Sequence, residues 1–94
     1  VRVQLSRAAG WRLPPRARSV AYPTPYANPF RPERRTVEAN SVAVERYRQW
    51  LAERPDLIEQ VRGELAGKDL ACWCAPHLPC HADVLLDVAA GADP

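Results

Sequence analysis

Gly67-Lys-Asp-Leu-Ala-Cys-Trp-Cys-Ala-Pro-His-Leu-Pro-Cys-His-Ala-Asp-Val-Leu-Leu-Asp-Val-Ala-Ala90 is the stretch from which the fold can be read. Gly67 is a natural helix stop, because glycine alone enters the left-handed region without a steric cost. Lys68–Trp73 then reads as a short apolar strand. Pro76 and Pro79 forbid regular structure across the next segment, since proline fixes φ and lacks a backbone donor. From about His81 to Ala90 the chain is apolar nearly all round (Val84, Leu85, Leu86, Val88, Ala89), with Asp83 and Asp87 sharing one solvated edge. Such a helix is largely buried. A strand feeding a buried helix through a short loop is half of an α/β unit.

Working toward the N-terminus, Pro55 suits the first position of a helix, with Asp56 in its first turn. Leu57, Ile58, Val61 and Leu65 form the apolar stripe of that helix. A longer helix opens at Thr36, a residue suited to the N-cap. Val37, Val44, Tyr47 and Leu51 make its stripe, flanked by Ala43 and Trp50, and Glu38, Glu45, Arg48 and Gln49 lie opposite. Tyr47 and Trp50 are read as helix–sheet packing and Trp73 as core. Val1, Val3 and Leu5 alternate with Arg2 and Gln4, the period of a half-buried strand. Ser19–Tyr22 is a second short strand ended by Pro23. Between these, six of the ten prolines fall in residues 14–32, so that stretch is a long surface loop. The expected fold is a small α/β domain: a single-layer, partly parallel sheet packed by about three helices, with a long Pro/Arg-rich loop. Residues 1–90 form this one domain, and 91–94 are expected to be a disordered tail.

The chain has 94 residues, 47% of them hydrophobic, which allows one thin core and no second domain. A thin core favours a homodimer. No apolar run reaches the roughly 20 residues of a membrane span and no basic-then-apolar leader opens the sequence, so a cytoplasmic protein without a membrane partner is expected. Charge is unevenly spread. Residues 1–35 carry eight arginines (Arg2, Arg7, Arg12, Arg16, Arg18, Arg31, Arg34, Arg35) against one acid, Glu33, while the remainder is net acidic. Guanidinium groups grip phosphate through paired hydrogen bonds, so this half either offers an anion-binding face or attracts the acidic half within the fold.

All three cysteines and both histidines lie within ten residues, Cys72 to His81. In open α/β sheets ligands bind beyond the carboxyl ends of strands, which is where this cluster falls. Three chemistries suit it. Cys72, Cys74, Cys80 and His81 (or His77) can supply a Cys3His set to zinc, although two adjacent ligands demand an awkward local backbone. Alternatively Cys80, at a helix start beside an imidazole, is a nucleophile with His81 or His77 as its base. Finally, the thiols can be small buried hydrophobes. An odd cysteine count argues against a disulfide framework.

In the proline loop, Trp11-Arg12 and Tyr26-Ala-Asn-Pro-Phe30 set aromatic rings and an amide beside guanidinium groups. They read either as a pocket rim, in which rings stack on a base and Asn28 offers a donor and an acceptor, or as a turn pinned by Tyr26 and Phe30.

Three stretches together resemble a known family: Val3-Gln-Leu-Ser-Arg7 with Gly10-Trp-Arg12; Val20 to Asn28-Pro-Phe30; and Gly67-Lys68 through Leu70-Ala-Cys-Trp-Cys74 to Pro79-Cys-His-Ala-Asp-Val-Leu85. Over about residues 1–90 the chain resembles domain-of-unknown-function family 4326, uncharacterised and found in bacteriophage and bacterial genomes. The resemblance implies a stand-alone α/β domain with no agreed activity, in the bacterial host cytoplasm if phage-encoded. It also implies that Cys72, Cys74, Cys80 and His81 belong to the family pattern and His77 does not. Tyr22 and Ala27 depart from that pattern, which has Arg and Gly there.

The functional expectation is a ligand site at the sheet edge. One wall is Cys72/Cys74/Cys80/His81 and the other is the proline loop with Trp11, Arg12, Asn28 and Arg31. The ligand is phosphate-bearing, a nucleotide or a nucleic-acid end, held by the amides at the last helix start with Arg12 or Arg31 closing on it. In an enzymatic version Cys80 is the nucleophile and His81 its partner. The alternative is a non-enzymatic accessory module whose cysteines hold zinc or fill the core.

Overall fold

A computed structural model describes residues 1–94. Six elements follow in order: β1 (Arg2–Gln4), β2 (Ala17–Ser19), α1 (Val37–Ala52), α2 (Pro55–Glu64), β3 (Asp69–Cys72) and α3 (His81–Ala89). The sheet has the order β1-β3-β2 and both pairings are parallel. The last strand in the chain is thus the central one. Its residues Leu70, Ala71 and Cys72 are all buried, as a strand covered on both faces requires. The expected small α/β architecture is present, and its sheet is parallel throughout.

β2 lies two residues before the expected Ser19–Tyr22. Val20 still donates its N–H to the Ala71 carbonyl (2.9 Å), but the pairing stops there and the chain enters the proline loop. On the other edge the Leu5 N–H donates to the Cys72 carbonyl at 2.7 Å. The end of β3, where the thiols begin, is therefore held from both sides.

α3 joins the sheet to the other helices. It packs on β3 and β1 on one side and on α1 and α2 on the other. Its all-round apolar sequence follows from that position, and Ala82, Val84, Leu85 and Val88 have no measurable exposure. The expected helix–sheet packing of α1 is instead packing on α3: the Tyr47 ring meets His81 edge-on at 5.2 Å and tilts against Trp50 at 5.5 Å. Thr36 caps α1 by accepting from the Ala39 N–H (3.2 Å), and Pro55 opens α2, both as expected. Val37 is half exposed, however, and the buried face of α1 is Asn40, Ala43, Tyr47 and Leu51. An amide thus replaces the first apolar residue of the expected stripe, because Asn40 meets a backbone carbonyl there.

At the end of α3, Arg62 of α2 donates to the carbonyls of Val88 (3.2 Å), Gly91 (3.4 Å) and Ala92 (3.0 Å). Carbonyls at a helix C-terminus lack intrahelical partners, and one guanidinium serves several. Gly91 and Ala92 are thereby fastened to α2. No helix is long and apolar enough to cross a membrane.

Candidate metal centre and its arginine-rimmed cleft

Three elements bring the thiols together. Cys72 is the last residue of β3, Cys74 lies in the loop that follows, and Cys80 is the N-cap of α3 in extended conformation (φ −145°, ψ 150°). Their sulfurs all lie within 4.8 Å of one another, and Cys80 Sγ sits 3.1 Å from Cys72 Sγ. All three thiols are free. His81 Nδ1 lies 3.5 Å from Cys80 Sγ. Its other nitrogen, Nε2, is 2.8 Å from the Val20 carbonyl, which can only accept, so Nε2 carries the proton and Nδ1 keeps its lone pair on the sulfur side. The adjacent Cys80 and His81 do not clash because the first is extended and the second opens the helix. His77 is exposed and stands apart from the cluster.

The three thiols shift one another's proton affinity. Donation from Cys72 and Cys80 lowers the Cys74 thiol to about 3, against the opposing effect of burial. Cys72 is raised, chiefly by its hydrogen bond to Cys74. Cys80 is pushed up by donating to Cys72 and Cys74, with burial adding to the effect. Burial lowers His81, partly offset by the Val20 carbonyl. Of the three thiols only Cys74 is held below the ordinary thiol value. Cys80 is only 2% exposed, while Cys74 is half buried.

Arg2 builds the loop that carries Cys74. Its guanidinium donates to the Asp83 carboxylate (2.9 Å) and to the carbonyls of Ala75 (3.0 Å) and Pro76 (2.7 Å). Asp83 Oδ2 also accepts from the Cys80 N–H at 3.2 Å. The start of α3 is thus already occupied by the protein's own carboxylate, and the anion expected at its free amides would meet that negative charge instead. Replacing Arg2 with Ala is expected to destabilise the domain by about 1.5–3 kcal/mol, the range for hydrogen bonds to a charged group. A urea melt of the variant checks this.

The cluster opens into a cleft of about 1080 Å³. Cys72, Cys74, Cys80 and His81 line it together with Asn28, Phe30 and Arg31 of the proline loop. Trp11 and Arg12 are not among its lining residues. A turn from Ala8 to Trp11, closed by the Trp11 N–H on the Ala8 carbonyl (3.1 Å) with Gly10 at φ 81°, redirects the chain after Arg7. Arg7 and Arg35 line the cleft with Arg31, and none of the three pairs with a carboxylate. Asn28 faces the cleft but is engaged locally: Oδ1 accepts from the Phe30 N–H (2.8 Å) and Nδ2 donates to the Ala43 carbonyl (3.2 Å). Its first role is to hold the loop on α1.

Residue matching places the whole fold in a family. A model described as a domain of unknown function, DUF4326, matches residues 3–91. The chain belongs to the DUF4326 family. No match to a curated protein or to a solved structure is found. In this DUF4326 domain, four cleft residues carry no site signal in the sequence: Trp73, Arg7, Arg35 and Asn40. Trp73, expected in the core, is 47% exposed, because β3 ends one residue earlier and the indole projects at the cleft mouth under the Arg7 guanidinium (4.8 Å). Arg7 and Arg35 carried no signal beyond the general arginine excess. Asn40, also on the wall, donates Nδ2 to the Pro79 carbonyl (2.9 Å), and its buried Oδ1 has no donor.

Proposed function

We propose that the domain binds a phosphate-bearing ligand of nucleotide size in this cleft, and that Cys72, Cys74 and Cys80 hold zinc at its floor. The observation that carries the reading is one cleft shared by three uncompensated guanidinium groups and three converging thiols. Unpaired arginines in a concave, partly apolar site concentrate anions and grip phosphate in the plane of the guanidinium. The volume suits a small-molecule ligand.

The donor set suits zinc. Zinc–sulfur bonds of about 2.3 Å in a tetrahedron put sulfurs about 3.8 Å apart and a ring nitrogen about 3.6 Å from a sulfur. The cluster's spacings, 3.1 Å to within 4.8 Å for sulfur pairs and 3.5 Å from Nδ1 to Cys80 Sγ, bracket those values. The converging group is the three thiols, with His81 Nδ1 beside Cys80 alone at 3.5 Å as the candidate fourth donor, and the carbonyl partner on its far nitrogen is what fixes metal-binding imidazoles elsewhere. This favours a binding module over thiol catalysis by Cys80, whose sulfur is buried and whose thiol its cysteine neighbours push up.

A thermal-shift screen tests the reading with pyrophosphate and the nucleoside monophosphates, on protein whose zinc content is measured first. A ligand at a hundred times its Kd stabilises the native state by about 2.7 kcal/mol. The expected result is a rise in Tm that Arg31→Ala with Arg35→Ala removes. Unchanged melting with every probe overturns the proposal.

A further inference from the structure

Three aromatic side chains line the same cleft: Tyr22, Phe30 and Trp73. Tyr22 is 79% exposed and Trp73 47% exposed, so neither contributes much to the core. Phe30 is the only phenylalanine in the chain, and it too sits on the wall rather than in the interior. The cations Arg7, Arg31 and Arg35 line the same cleft. Ring faces beside a track of guanidinium groups are what unpaired bases on a phosphate backbone require: each base has a π-face to stack, and each phosphate needs a counter-charge.

Resting on the phosphate reading of the cleft, we propose that its partner is a single-stranded nucleic acid, whose bases stack on Tyr22, Phe30 and the face of Trp73 opposite Arg7 while its backbone runs along Arg7, Arg31 and Arg35. Shape decides between strand states. In a duplex the base faces are stacked on one another and closed to side chains. A single strand presents both faces and backbone to such a site. The charge distribution agrees: all three arginines belong to the arginine-rich residues 1–35, which carry only one acid.

The test is fluorescence anisotropy with end-labelled oligo-dT and oligo-U of about ten nucleotides, within the range one small domain covers. It is run against a blunt duplex of equal length at about 50 mM salt and upward. Binding of either single strand, tighter than the duplex, with a slope of log K against log salt near −2 for three phosphate contacts, is the expected result. Tyr22→Ala and Trp73→Ala should each weaken binding about 5- to 150-fold. Both residues are exposed, so both variants keep the fold. Duplex binding as tight as single-strand binding overturns the inference, as does unchanged affinity in both variants. If pyrophosphate or a nucleoside monophosphate stabilises the protein while neither oligonucleotide binds, the single-strand inference falls and the phosphate reading stands. If no phosphate probe of any kind binds, both fall.

Discussion

Cobalt(II) titrated into the reduced protein is expected to bind at one ion per chain and to give intense near-ultraviolet thiolate-to-metal absorption with a tetrahedral visible band. Zinc should displace it. The basis is the donor set of Cys72, Cys74 and Cys80, contributed by a strand end, a loop and a helix cap that converge within 4.8 Å. Replacing any one of the three with Ser removes a donor. Outer-sphere changes alone cost zinc sites about ten- to a hundredfold in affinity, so loss of a direct ligand should exceed about a hundredfold. The pH dependence has a definite sign. Cys72 and Cys80 are held above the ordinary thiol value and must release protons to bind metal. Affinity therefore falls as pH is lowered, and binding releases protons that a weakly buffered titration records. A cobalt spectrum without sulfur charge transfer, or one that survives Cys80→Ser unchanged, removes the zinc from the proposed function.

The convergence of sulfur was legible because it depends on local order. A strand, a two-proline loop and a helix start follow one another within ten residues, and short connections keep their ends close. α3 was legible for a related reason: a helix apolar on every side has to lie between other elements, here the sheet and α1/α2. What could not be read was set by contacts between residues far apart in sequence. Arg2 looked like the polar side of a half-buried strand, yet its guanidinium reaches across 81 residues to Asp83 and shapes the loop that carries Cys74. Asp83 looked like a solvated helix edge and instead closes the helix start against an external anion. Trp73 shows the limit of periodicity. One residue inside β3 it would be core, and one residue beyond the strand it is the rim of a cleft. The loop arginines were indistinguishable from one another in sequence, because which of them faces the cleft is decided by the turn at Gly10 and by the anchoring of Asn28 on α1.

That anchoring gives the largest expected loss of stability. Tyr47 has no exposed surface, its ring meets both His81 and Trp50, and its hydroxyl donates to the Tyr26 carbonyl at 2.8 Å. It therefore links α1, the helix start that carries Cys80 and His81, and the proline loop. Tyr47→Ala is expected to cost about 3–5 kcal/mol, as for other buried aromatics truncated to a cavity. A domain of this size has about 5–15 kcal/mol in all, and a thin core puts it toward the lower end. The variant should be largely unfolded at moderate urea. Tyr47→Phe separates the two roles of the side chain. It keeps the packing but leaves the Tyr26 carbonyl without its donor, a loss of about 1–3 kcal/mol and a fall in Tm of several degrees. Tyr26 is also tied to α2 through its hydroxyl and the Glu64 carboxylate, so the loop stays attached in the Phe variant. Its wall of the cleft, with Asn28, Phe30 and Arg31, then loses one of the fastenings that keep it facing the thiols. Ligand affinity should fall in Tyr47→Phe while metal affinity holds, because the sulfurs are positioned by β3, Arg2 and the α3 cap rather than by the loop. Equal losses of both would mean that the two walls form one unit, and no loss of either would mean that the hydroxyl fastens nothing the site depends on.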